Sequence, residues 1–168
     1  MRWSKLRSLV IERLAPPLQA RLDIHSAAYG NCRCGHAWLT LDGEVIANFC
    51  TRAHSIAQGW ETSGSAPNPM YKGQLAEFGA LSRQDVYRTL WDFIHALSIE
   101  QALASDDMLT QALAVADARV GKRRLATLDS DLLYPLSAYL LMLRTSQGGG
   151  LSPSGYAKLR ARATDIAA

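Results

Sequence analysis

Three cysteines and four histidines are the residues with the most evident chemistry, and six of the seven fall between His25 and His54. Cys32-x-Cys34-x-His36, with His25, Cys50 and His54 nearby, offers the thiolates and imidazoles that zinc prefers. The spacing argues against shared ligation. In an extended chain positions 32 and 36 stand about 13 Å apart, whereas the ligands of one tetrahedral zinc lie within about 2.3 Å of it, so only a tight loop at Gly30 and Gly35 would gather them. Two residues apart in one strand, Cys32 and Cys34 are separated by roughly 7 Å, too far for a disulfide. Ordinary sheet-edge cysteines are therefore expected, with no metal and no cofactor.

A second cluster is cationic. Arg119, Lys122, Arg123 and Arg124 surround Gly121, and Gly121-Lys122-Arg123 has part of the pattern of a phosphate loop. Position 116 is alanine and position 123 arginine, where that loop needs glycine and a magnesium-binding hydroxyl. Nucleotide hydrolysis is disfavoured, which leaves phosphate or nucleic-acid contact, or stabilisation of a helix end by cations. No Gly-x-Ser-x-Gly elbow accompanies the serines. Asp106-Asp107 is explained by helix capping. Two isolated residues complete the candidates: His25, which on a strand faces away from Leu22 and Ile24 and can reach Asp23 or Tyr29, and Trp60, which lies in an aperiodic stretch and is placed to anchor a partner or cover the sheet.

These residues need elements to position them. Leu6, Leu9, Val10 and Leu14 recur at helical spacing after Ser4, an expected N-cap, and Pro16-Pro17 is expected to end that helix. Residues 21–25 alternate as a strand does. Asp42-Gly43, between Ala37–Leu41 and Glu44–Phe49, is the two-residue type I′ turn of a hairpin. That turn pairs Leu41 with Glu44, Leu39 with Ile46 and His36 with Phe49, and puts apolar groups on both faces. It also sets Cys50 opposite Gly35, facing away from His36. Residues 52–73 form a connection longer than most compact domains contain.

Beyond it, Ser82 caps a helix with Val86, Leu90, Phe93, Ile94 and Leu97 on its stripe, and Ser98 with Gln101 makes a capping box for a short one. Ser105 is expected to start a helix whose stripe runs through Leu109, Ala112, Leu113, Ala116 and Val120. Gly121 then takes the left-handed position past its end, with Lys122, Arg123 and Arg124 complementing its carbonyls. A further helix starts near Pro135, and Ser152-Pro153 is placed to start a last short one.

Composition limits the function classes. With 168 residues, 48% of them hydrophobic and 20% charged, the chain reads as one globular domain able to build a core without metal or disulfide. The net charge of +3 conceals alternation. Basic residues number 7 against 4 acidic over 1–60, 4 against 8 over 61–120, and 7 against 3 over 121–168. Such a pattern suits internal complementarity, whereas a nucleic-acid binder is more often basic throughout. The odd cysteine count, a start without an apolar leader and the absence of long apolar runs predict a cytoplasmic chain without a membrane partner.

Trp3-Ser4-Lys5-Leu6, Ala15-Pro16, His25-Ser26, Ala37-Trp38, Asp42-Gly43 and Arg119-Val120-Gly121-Lys122-Arg123-Arg124-Leu125 together resemble a family of small uncharacterised bacterial proteins. The resemblance spans most of the chain and implies a bacterial cytosolic protein with no catalytic residues to transfer.

The expected fold is α+β: an N-terminal helix, a three-stranded antiparallel meander and a helical second half. It forms a single domain over 1–168, divided into helix plus sheet (1–51), connection (52–73), helical part (74–147) and a flexible linker with a short terminal helix (148–168). The expected function is non-catalytic binding of another macromolecule, protein ahead of nucleic acid. The alternatives are nucleic-acid or phosphate binding through Arg119 to Arg124, and an enzyme whose residues meet only in three dimensions.

Overall fold

A computed structural model describes residues 1–30, 34–59, 75–77, 79–146, 152 and 155–156. Helix α1 (Trp3–Arg13) buries Leu6 and Val10, as their spacing requires. Its N-cap is Arg2, which makes no side-chain cap bond, so Ser4 lies inside the first turn and not before it. Pro16 does more than stop the chain. It is the first residue of a short helix α2 (Pro16–Gln19), a position where the missing N–H costs nothing.

Three strands follow, β1 (Leu22–Ala28), β2 (Gly35–Leu41) and β3 (Glu44–Cys50), in an antiparallel sheet of order β1-β2-β3. The α+β class and the meander stand as the sequence implies. Asp42 (φ 52°) and Gly43 (φ 85°) both take the left-handed conformation that a type I′ turn demands. The register beyond the turn differs from the simple count. Leu41 faces Glu44 and Thr40 faces Val45, but Leu39 faces Ala47, so Ile46 is an extra residue in β3. This bulge lets Ile46 and Ala47, neighbours in sequence, both be fully buried. It also moves every later pair by one: Cys50 faces His36, not Gly35.

The bulge gathers the core residues of the sheet on one face. Leu22, Ile24, Ala37, Leu39, Leu41, Ala47 and Phe49 are buried and belong to the core. The chain then enters α3 (Thr51–Ala57), which occupies the start of the expected connection. Residues 60–74, Trp60 among them, lie outside the described residues. Where the described chain resumes, the Leu75 N–H donates to Ile46 O at 2.9 Å, tying it to the bulge.

Helix α4 (Arg83–His95) begins with the expected Ser82 cap, completed as a capping box by Asp85, and buries Val86, Leu90 and Phe93. Helix α5 (Ile99–Leu103) has the Ser98 and Gln101 capping box. Helix α6 (Met108–Ala116) is buried along its whole length and is capped by Asp107, not Ser105. It ends at Ala116, earlier than the apolar stripe suggests. Leu14 and Asp117 form a β-bridge there, with the Ala15 N–H on Ala116 O and the Ala118 N–H on Arg13 O.

Helix α7 (Lys122–Leu125), a 3-10 turn at Ser130–Leu132 and α8 (Pro135–Thr145) complete the described fold. Pro135 occupies the first turn of α8. The Tyr156 ring lies tilted against Tyr139, with centroids 5.2 Å apart; of the expected terminal helix only Ser152, Gly155 and Tyr156 are described. Among the described residues no helix is long and apolar enough to cross a membrane.

Candidate functional site

The outer face of the sheet differs in kind from the inner one. Three cross-strand rows occupy it: Asp23, Thr40 and Val45; His25, Trp38 and Asn48; Ala27, His36 and Cys50. His25 Nε2 lies 3.0 Å from Thr40 Oγ1, and its ring stacks on Trp38 with centroids 5.2 Å apart and planes at 16°. Asn48 Oδ1 accepts from His36 Nδ1 at 3.0 Å, and Tyr29 meets the His36 ring edge-on at 4.9 Å. Beside these groups is an open depression of about 510 Å³ lined by Arg21, Asp23, His25, Trp38, Thr40 and Val45.

Charge on this face is paired off locally. Both carboxylate oxygens of Asp23 accept from the Arg7 guanidinium of α1, and Oδ1 also accepts the Ile24 N–H at 2.7 Å. Burial pushes the Asp23 carboxyl up, but the Arg7 hydrogen bond, the Ile24 amide and the Arg7 charge together hold it below the usual carboxylate range. His25 Nε2 stands 3.6 Å from Asp23 Oδ2. At the turn, Arg21 grips Asp42 at 2.6 Å, and that hydrogen bond lowers the Asp42 carboxyl. The result is an aromatic, hydrogen-bonding surface with its ion pairs already formed. His25 sits on an open shelf and not in a deep cleft.

The basic segment is dispersed. Gly121 has φ −73° and is the N-cap of α7, not the left-handed residue past a helix end. Arg119 binds Asp117 through Nε and Nη2, the latter at 2.8 Å, with Asp117 only 1% exposed. Its guanidinium also lies over the Phe93 ring at 6.0 Å. Arg124 pairs with Glu100 at 2.7 Å. Lys122 and Arg123 are exposed and have no ion-pair partner among the described residues. The cation at the end of α6 and the turn after it is Arg144 of α8, which donates to Val115 O, Asp117 O and Val120 O. Arg13 does the same for α4 at Phe93 O and Ile94 O.

Cys50 is a free, buried thiol. Cys34 is disulfide-bonded; Cys32, and with it the Cys32 and Cys34 pair, lies outside the described residues. Cys34 precedes β2, which begins at Gly35, so the strand spacing that would hold two cysteines apart does not apply to it. Among the described residues no three His, Cys, Asp or Glu side chains are gathered to hold a metal. Of the sequence candidates, His25 is on the outer face, the four basic residues are elsewhere and Trp60 is not described. Sequence reasoning missed Trp38, Thr40 and Arg7. The alternation His36, Trp38, Thr40 carried the signal for the first two, but the unbulged register mixed apolar residues into that face.

Comparison with curated proteins and with solved structures finds no match to this chain. The model of the SF0329 protein family matches residues 2–145, from the start of α1 to the end of α8. A match over that span shows the family: the chain belongs to the SF0329 protein family.

Proposed function

We propose that this chain is a non-catalytic binding protein that takes a protein partner on the outer face of its sheet. One observation carries the reading: the His25–Trp38 stack stands on an open face, beside the exposed Val45, where the neighbouring charges are already neutralised in pairs. Aromatic groups with satisfied polar neighbours are the composition of a protein-binding patch, because desolvating them leaves no unpaired charge behind. Nucleic acid is the less favoured partner. Arg119 and Arg124 are held by carboxylates, so that reading rests on Lys122 and Arg123 alone. The compartment we propose is the bacterial cytoplasm, the setting the odd cysteine count suits, and a bridge at Cys34 would there be a transient one.

The test is affinity capture from a lysate of the native cell with three baits: wild type, Trp38→Ala, and Lys122→Ala combined with Arg123→Ala. The reading expects a protein retained by wild type and by the double variant, and lost with Trp38→Ala. Retention that survives Trp38→Ala but disappears with the double variant or after nuclease treatment overturns it.

A further inference from the structure

The open edge of β1 carries backbone groups that no described residue bonds. The Asp42 N–H donates to Arg21 O and the Tyr29 N–H to Cys34 O, which fixes the phase of the β1–β2 ladder. With Leu22 opposite Leu41, the odd-numbered residues of β1 exchange hydrogen bonds with β2. Leu22, Ile24, Ser26 and Ala28 therefore direct their N–H and C=O groups away from the sheet. At Ile24 the edge is plugged, because Asp23 Oδ1 takes its N–H. Further along, Ala27 and Ala28 are exposed, and the backbone groups of Ser26 and Ala28 have no hydrogen-bond partner among the described residues. A polar row of this kind matches the backbone of another strand.

A second, independent observation is Arg83, the first residue of α4. Its Nε donates to Ser26 Oγ at 2.7 Å, and its Cδ runs so close to Gly35 that a Cβ there would stand 2.9 Å away. Arg7, Arg21, Arg119 and Arg124 each hold a carboxylate. Arg83, half-buried beside the open edge, holds none among the described residues.

We propose that an extended segment of a partner protein adds to the sheet along Ser26–Ala28 and that a carboxylate of this segment pairs with Arg83. The inference rests on the reading of the chain as a protein-binding module and gives the shape and charge of what it binds. Backbone pairing supplies the alignment, and the guanidinium selects an acidic side chain on the inner side of the added strand.

The experiment uses the full chain and two synthetic hexapeptides of alternating Thr and Val, one with a central Glu and one with Gln in its place. Amide hydrogen exchange is read residue by residue. In the free protein Ser26 and Ala28 should exchange fast while Ala27 and Tyr29 are protected. The Glu peptide at millimolar concentration should slow Ser26 and Ala28 by about tenfold. The Gln peptide should bind about fivefold more weakly, and Arg83→Gln should erase that difference. Ala28→Pro removes an N–H that the ladder does not use, so it should keep the melting temperature and lose the peptide. No slowing at Ser26 and Ala28 with either peptide, equal slowing in Ala28→Pro, or no Glu preference overturns the inference. Should Ala28→Pro not fold, the wild-type and Arg83→Gln measurements still decide. Lysate capture that fails with Trp38→Ala while peptides leave the edge unprotected sinks strand addition alone. The reverse pattern sinks the outer-face reading alone.

Discussion

Asp23 joins three parts of the site: it holds Arg7 of α1, closes the Ile24 edge amide and stands 3.6 Å from His25. Replacing it by Ala removes a charge-assisted pair and uncaps an amide, and is expected to lower unfolding free energy by about 1–2 kcal/mol in denaturant titration. Its folded carboxyl lies below the usual range, so the unfolded state binds more protons near the ordinary Asp value. The stabilisation is therefore complete above about pH 4 and fades as pH falls through the lower folded value. Wild type should lose this contribution on acidification, and Asp23→Ala should show a shallower acid limb. The basic residues separate at this scale as well. Arg119→Ala leaves the buried Asp117 carboxylate without its guanidinium and should cost about 2 kcal/mol, whereas Arg123→Ala, on the surface, should stay within about 0.5 kcal/mol of wild type.

Among the elements, the Asp42-Gly43 hairpin and the helix capping boxes were legible because their signals lie within four residues of chain. Gly43 at φ 85° tolerates no β-branched side chain, and Gly43→Val should destabilise by at least about 1 kcal/mol, read as a lowered denaturation midpoint. The bulge at Ile46 was not legible. Val45, Ile46 and Ala47 are all apolar, so alternation cannot say which is the extra residue; only the core that buries both Ile46 and Ala47 decides. The end of α6 was misplaced for a similar reason. Val120 continues the helical stripe, yet the bridge between Leu14 and Asp117 pulls the chain out at Ala116. The Val115 carbonyl, and those of Asp117 and Val120 in the turn that follows, are then bonded by Arg144, far along the sequence. Arg144→Met should cost about 2–3 kcal/mol by thermal or chemical unfolding, since three carbonyls lose a charged donor.

For the whole molecule, the described helices other than α3 share one core with the inner sheet face, and the outer face is left with aromatic and hydrogen-bonding side chains. His25 could be placed on that face from its alternation with Leu22 and Ile24. Its companions could not, because Arg7 arrives from α1 and Trp38 meets His25 only once β1 and β2 are in register. The central claim is that this face receives a protein. Site-specific photocrosslinking tests it most directly, with p-benzoylphenylalanine in place of Val45, which is 43% exposed on the outer face, or of Ala126, exposed beside the basic α7. After irradiation in the native cell, the account expects a discrete protein adduct from position 45 and none from position 126. An adduct from position 126 alone, or one from position 45 that carries nucleic acid instead of protein, contradicts it.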